Sequence, residues 1–279
     1  MKLSKSSLGS YITCPEKYFL AYELRIRPVK TPPDLLVGGA THHVIAAHFL
    51  KALFGEPCDL EQALNEFWSR HEFENTGFDT EDDLEMGKRQ SLALAQLFLR
   101  EARIEPLHAE YRFELPILNV QTGEVLDDVE LVGIIDLIDR PNGRHRAVEI
   151  KTKARKPDDF AAKTSIELTC YAYWLRFLEE HGSIPVSYAH IVKTKNPYIL
   201  WQDQERKEPD FIELFHTIRI VAANIADRRF YRNPGVHCGW CDYRPVCLRD
   251  AEASRKLFGA PALELLAEHN RLGIGSNLS

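Results

Sequence analysis

This sequence predicts an α/β fold, a central mixed β-sheet flanked by helices, on three observations. The first hundred residues carry apolar side chains at helical spacing. After Pro106 the chain turns to runs rich in Val, Ile and Leu, the composition of strands. From Ser165 onward helix, strand and helix follow in turn. That order places one sheet among helices.

Each element follows from local chemistry. Ser6 or Ser7 caps a short helix whose Leu8, Tyr11 and Ile12 share a face. Pro15 opens the next helix, and Tyr18, Phe19 and Tyr22 continue its apolar stripe. Pro28 to Pro33 reads as a loop. Helices are expected from about Gly39 to Phe54 and from about Leu60 to Phe73. Met86 to Arg103 is strongly amphipathic, with Leu92, Leu94, Ala95, Leu97, Phe98 and Leu99 on the core side. Tyr111 to Val120, Val129 to Asp139 and His145 to Lys151 read as strands, Ser165 to His181 as a helix, Ser187 to Lys193 as a buried strand and Asp210 to Phe230 as a long helix. One domain is expected over 1–257, with a helical N-terminal part (1–105), a core (106–232) and a cysteine set (14 plus 238–247). Residues 258–279 are expected to form a tail.

Composition narrows the function classes. Apolar residues at 44% and charged residues at 27% are ordinary for a soluble globular chain and exclude a disordered one. No stretch approaches the ~18 uninterrupted apolar residues of a membrane span. The first residues, Met1 to Ser6, lack the apolar stretch of a secretory signal, so a cytoplasmic setting is expected. In a reducing compartment a clustered cysteine set points to a metal or cluster site rather than to disulfides. A net charge of −6 argues against a uniformly basic surface. Yet Arg140 to Lys156 holds seven Lys or Arg against the single acid Glu149, a local strip suited to a polyanion.

Asn142-Gly143 is a strong hairpin signal. With these two as the loop, Pro141 opposes Arg144 and, further down, Asp136 opposes Glu149. Opposed residues share a face with Cβ atoms roughly 4.5–5.5 Å apart. Lys151, two residues on, shares it too. Two like charges side by side need compensation. Mg²⁺ or Mn²⁺, which prefers carboxylate oxygen, supplies it and can activate water. Lys151 can stabilise developing charge or orient that water. The plainer alternative is an exposed hairpin face with a Glu–Lys pair.

With Ile135-Asp136 and Glu149-Ile150-Lys151 at its motif positions, the sequence resembles the PD-(D/E)xK nuclease superfamily. The resemblance implies a restriction-endonuclease-like core and divalent-metal hydrolysis of phosphodiesters. Gly39-Ala40-Thr41-His42-His43 is similar to the G-x3-H motif of the RecB-like branch, where the histidine joins the metal site. His43 fits that spacing from Gly39, and His42 is a rival because Gly38 gives the same offset. Glu167-Leu168-Thr169-Cys170-Tyr171 resembles the branch's Q-x3-Y motif, with Glu in place of Gln. Positions 167 and 171 lie one helical turn apart on one face.

Leu8-x2-Tyr11-x2-Cys14-Pro15 together with Cys238-x2-Cys241-x5-Cys247 resembles the cluster signature of AddB-type and CRISPR-adaptation nucleases. There four thiolates hold a [4Fe-4S] cluster that staples the chain's ends; four thiolates equally suit zinc. Cys58 and Cys170 have no partners at ligand spacing.

The expectation is therefore a cytoplasmic, metal-dependent DNA exonuclease of a prokaryotic or phage-infected cell, acting on DNA ends or single strands. Its setting would be recombination, repair or CRISPR adaptation, with a protein partner from one of those systems. The resemblance implies His43, Asp136, Glu149 and the Ile150 carbonyl as metal ligands, with Lys151, Tyr171 and Glu167 at the same site. No G-x4-G-K-[ST] loop occurs, so the chain carries no motor of that type. The rival classes are a catalytically silent DNA-binding or assembly subunit and a zinc-stapled interaction protein.

Overall fold

The computed structural model describes residues 1–179 and 182–271. These divide into two compact units. The first comprises Met1–Lys5 and Pro32–Thr217, and the second is assembled from Ser6–Thr31 and the chain from Ile218 onward. The single expected domain thus meets a chain whose packing separates it in two, with the helical N-terminal part shared between them.

The first unit is built on a six-stranded mixed sheet. Its strands are β1 (Lys2–Ser4), β2 (Pro106–Leu118), β3 (Val125–Asp139), β4 (Arg146–Lys153), β5 (Ile184–Val192) and β6 (Tyr198–Arg206). Long β3 is its spine. β2 runs antiparallel along one edge. The other edge is shared: β1 pairs parallel with Glu130–Val132, and β4 pairs antiparallel with Leu137–Asp139. β5 lies parallel to β4, with β6 antiparallel beyond it. β5 is buried almost throughout, as a parallel strand covered on both faces must be.

The hairpin between β3 and β4 takes the expected register, with Leu137 opposite Val148 and Asp139 opposite Arg146. Asn142 and Gly143 both adopt positive φ (55° and 80°), the two-residue turn that matches strand twist. Two strands were not expected. β1 is three residues long, and β6 ends in Gln202-Asp203-Gln204-Glu205-Arg206, whose charge hides its alternation.

Helices α3 (Pro33–Ala52), α4 (Leu60–Trp68), α5 (Glu81–Glu101) and α6 (Ile166–Leu175) belong to this unit. α3 starts six residues before the expected Gly39, because Pro33 sits at a first-turn position where its missing N–H costs nothing. α6 stops at Leu175, short of the expected His181, which with Glu180 lies outside the described residues. Val44, Ile45, Leu94 and Phe98 from the helices pack on Leu137, Val148, Ile150 and Ile191 of the sheet. Burying each such side chain contributes about 1.5–3 kcal/mol.

The second unit is helical. After α1 (Lys5–Thr13) comes α2 (Pro15–Tyr18), which runs on into a π-turn at Phe19–Glu23. α7 (Glu208–Ala226) begins in the first unit and ends in the second. α8 (Arg244–Cys247), α9 (Ala251–Phe258) and α10 (Ala260–Glu268) complete it. Its core joins both chain segments: Phe19, Leu20 and Ile26 meet Tyr243, Val246, Phe258 and Leu266. In the stretch expected as a C-terminal tail, α10 adds Ala262 and Leu266 to this core.

Candidate active site

Asp136, Glu149 and Lys151 meet in the first unit, on the face of the β3–β4 hairpin that α6 covers. The hairpin register aligns Asp136 with Glu149, but the Asp136 carboxylate turns to accept the Ile150 backbone N–H at 2.8 Å. Glu149 is almost wholly buried (3% exposed). Lys151 Nζ donates to Glu149 at 2.5 Å and to Glu167 at 3.0 Å.

α6 is fixed from its first turn. Ser165 caps it, its hydroxyl accepting the Leu168 N–H and meeting the Tyr188 hydroxyl. The buried Arg206 guanidinium holds the approach by donating to Thr169 Oγ1 and to the carbonyls of Ala162 and Ser165. So anchored, α6 presents Glu167 and Tyr171 one turn apart, as their spacing predicts. Tyr188 of β5 donates to Glu167 at 2.8 Å. The Tyr171 hydroxyl lies 2.6 Å from Glu149 and 2.9 Å from the Ile134 carbonyl.

Three residues at this site stand outside the expected ligand set. Lys5 reaches both Glu149 oxygens at 2.9 Å, Glu167 at 2.6 Å, and the Tyr171 hydroxyl. Glu110 lies in β2 opposite Asp136, between the pairs Ala109–Leu137 and Tyr111–Ile135. Its φ of 50° is a conformation that a non-glycine strand residue adopts only under constraint. The third is His42, whose Nδ1 stands 3.5 Å from Asp136.

His43, the preferred histidine by spacing, is placed elsewhere. Its ring packs on Phe67 of α4 at 5.8 Å, and its Nε2 is buried without a hydrogen-bond partner. Helical phase explains the exchange. Gly38, one turn before His42, lies so close to β4 that a Cβ there would stand 2.7 Å from Thr152 Oγ1. Gly39, one turn before His43, faces Phe67 instead. Of the two overlapping G-x3-H pairs, the earlier one faces the sheet.

Burial sets the electrostatics. It pushes the Asp136 carboxyl up to about 6, against the pull of Lys5 and the Ile150 N–H. Burial also raises Glu149, with Asp136 adding to it. For Glu167 burial is outweighed by Lys151 and Lys5, which hold its carboxyl down at about 2. Burial opposes charge on Lys151, but the Glu149 and Glu167 carboxylates more than offset it and keep it protonated. Burial lowers His42 to about 4, leaving a neutral imidazole with a lone pair to donate.

Among the described residues, no three His, Cys, Asp or Glu side chains stand close enough together to hold a metal ion. In donor chemistry Asp136 and Glu149 nevertheless fit a hard divalent cation. Glu149 is a buried oxygen ligand whose charge is partly met by ammonium groups at 2.5–2.9 Å, and half-buried Asp136 has a neutral imidazole beside it. A cleft of about 460 Å³ opens alongside, bordered by His42, Ile150, Lys151, Lys153 and Lys193.

The four signature cysteines all lie in the second unit. Cys14 is buried ahead of α2, Cys238 sits in the turn Val236–Trp240, and Cys247 ends α8. The Cys241 N–H donates to the Cys238 carbonyl at 3.4 Å. Burial raises the Cys241 thiol, and it lifts Cys247 to about 11; Cys14 adds to both shifts, so these three lie within electrostatic reach of one another. Of the remaining two, Cys58 is half-buried, and Cys170 is buried and pushed up to about 12.

A mixed sheet carrying an Asp on one strand and Glu-x-Lys on the next, flanked by helices, defines the nucleases built on a restriction-endonuclease-like core. The sequence model of the PD-(D/E)XK nuclease superfamily matches residues 2–248, and the chain belongs to that superfamily. Solved structures resemble it at low identity. A Eubacterium rectale protein described as a candidate exonuclease is 13% identical, with a TM-score of 0.46 over 81% of this chain and 79% of its own. The protein SSO0001 is 16% identical, with a TM-score of 0.34 over 84% of this chain and 93% of its own. No curated protein matches the sequence. No helix among the described residues is long and apolar enough to cross a membrane.

Proposed function

We propose that this chain is a divalent-metal-dependent DNA exonuclease of the RecB-like branch, acting in the cytoplasm on ends or single strands during recombination, repair or CRISPR adaptation. The observation that carries this reading is buried Glu149 beside Asp136, with Lys151 bonded to Glu149 at 2.5 Å, in a chain of nuclease family. Asp136 and Glu149 would hold Mg²⁺ or Mn²⁺, with His42 in the role first given to His43 and the Ile150 carbonyl as a further donor. The bound cation would supply Lewis acidity and a more acidic water. Lys151, kept charged by Glu149 and Glu167, stabilises the negative charge that develops on the phosphoryl oxygens. Glu167 and Tyr171 hold Lys151 and Glu149 in place. Lys153 and Lys193 border the adjoining cleft, and Arg155 and Lys156 continue the basic run along which a phosphate backbone can lie.

Cys14, Cys238, Cys241 and Cys247 would hold a [4Fe-4S] cluster with a structural role in the second unit; zinc is the alternative. Anaerobic purification followed by iron, sulfide and zinc analysis separates the two. The decisive assay is Mn²⁺-dependent degradation of labelled single-stranded DNA, linear against circular. Wild type is expected to degrade linear strands, and Glu149→Ala and Lys151→Ala to lose about a hundredfold or more. Wild-type inactivity across metals and substrates would leave the silent-subunit reading standing. Cleavage of circles would make the enzyme an endonuclease.

A further inference from the structure

Lys5 enters the site through an opening in the sheet. β1 ends at Ser4, beside Val132, and β4 takes up the same edge of β3 only at Leu137. Among the described residues no strand pairs with Gly133–Asp136 on that edge, and the Ile134 carbonyl is met there by the Tyr171 hydroxyl. Lys5 is the next residue after β1. Its ammonium lies 2.9 Å from both Glu149 oxygens and 2.6 Å from Glu167, and its side chain is 16% exposed.

We propose that Lys5 is a tethered competitor of the divalent cation: its ammonium occupies the Glu149 oxygens and withdraws to Glu167 when the cation binds. The inference rests on Asp136 and Glu149 being the cation's ligands. Two arguments carry it. The first is spatial. A divalent ion bonded to Glu149 at about 2.1 Å cannot share the same oxygens with an ammonium in hydrogen-bond contact, because the two cations would repel at close range. The second is charge balance. Ionised Asp136, Glu149 and Glu167 bring three negative charges, against two positive ones from Lys5 and Lys151. A divalent ion added to these five groups leaves an excess of positive charge, and the Lys5 ammonium relieves its repulsion with the ion by moving off the Glu149 oxygens onto Glu167. Uncompensated charge is costly there. Glu167 offers Lys5 a second berth, already in contact and itself held by Tyr188.

The test is Mn²⁺ binding to the full chain without DNA, by calorimetric titration. Lys5→Met is expected to bind Mn²⁺ about tenfold more tightly than wild type, and Glu149→Gln to abolish the site in either background. Lys5→Gln keeps hydrogen-bonding groups without charge and is expected to tighten binding likewise, whereas Lys5→Arg leaves it unchanged. Glu167→Gln removes the second berth, so it is expected to weaken Mn²⁺ binding more in wild type than beside Lys5→Met. Binding that is unchanged or weaker in both neutral variants overturns the inference, as does the lack of any Glu149-dependent Mn²⁺ site. A parallel DNA-cleavage assay separates the two readings. Tighter Mn²⁺ binding in a protein that cuts no DNA supports the competition and removes the nuclease; cleavage with no change in affinity removes the competition alone.

Discussion

His42 and His43 sit one position apart on α3 and meet different neighbours, Asp136 for one and Phe67 for the other. Their substitutions should separate cleanly. His42→Ala is expected to lower Mn²⁺-dependent cleavage by about 10–100-fold, the usual cost of losing a group at a metal ligand. His43→Ala should leave cleavage near wild type and instead shift the thermal midpoint, since its ring serves packing. Cleavage rates and melts of the two variants side by side would check this. The run Gly38-Gly39-x2-His42-His43 holds two copies of one spacing, so residue identity alone could not choose between them. What chooses is which glycine must lie flat against β4, a tertiary fact. Asp136, Glu149, Lys151, Glu167 and Tyr171 were legible because a turn and a helical repeat bring them together locally. Lys5 and Glu110 were not. One arrives from the distant start of the chain, and the other faces Asp136 from a strand position whose φ no pattern announces.

At the scale of elements, the β3–β4 hairpin was readable because Asn142 and Gly143 accept positive φ and so set the register for every pair behind them. β1 escaped notice because three residues are too few to show alternation, and β6 because its outer half is charged. The far end of the hairpin has its own clamp. A Glu179 oxygen accepts the His145 backbone N–H at 2.8 Å and meets its ring nitrogen at 2.7 Å. The N–H bond holds the Glu179 carboxyl below its ordinary 4.5. A carboxyl depressed by folding stabilises the fold above the unfolded pKa, and that stability disappears as pH falls through the folded value. Glu179→Gln is therefore expected to unfold at lower urea than wild type at pH 7. The difference should close as the pH drops below about 4. Urea midpoints measured across that range would test it; a gap that persists in acid would assign the effect to packing instead.

For the whole molecule, the α/β class and the nuclease family were both within reach of the sequence, while the division into two units was not. Helical periodicity reports that a segment will bury a face, not which distant segment it will bury it against. Phe19 and Leu20 carry the same pattern whether they pack on their neighbours in sequence or on Leu266. Leu266→Ala, far from the carboxylate site in sequence, is expected to cost the second unit about 2–5 kcal/mol. Denaturant unfolding followed by tryptophan fluorescence would measure it.

Because that unit draws on residues 6–31 and on the chain from 218 onward, its first part leaves the ribosome long before its second. At roughly 5–20 residues per second, the intervening stretch takes about ten to forty seconds to synthesise. For that interval Phe19, Leu20 and Ile26 lack their later partners Tyr243, Val246, Phe258 and Leu266, and the nascent chain offers an apolar segment for a chaperone to hold. The first unit can complete its sheet while the second still waits for its closing helices, so any cluster held by the four cysteines must be loaded after Cys247 has been made.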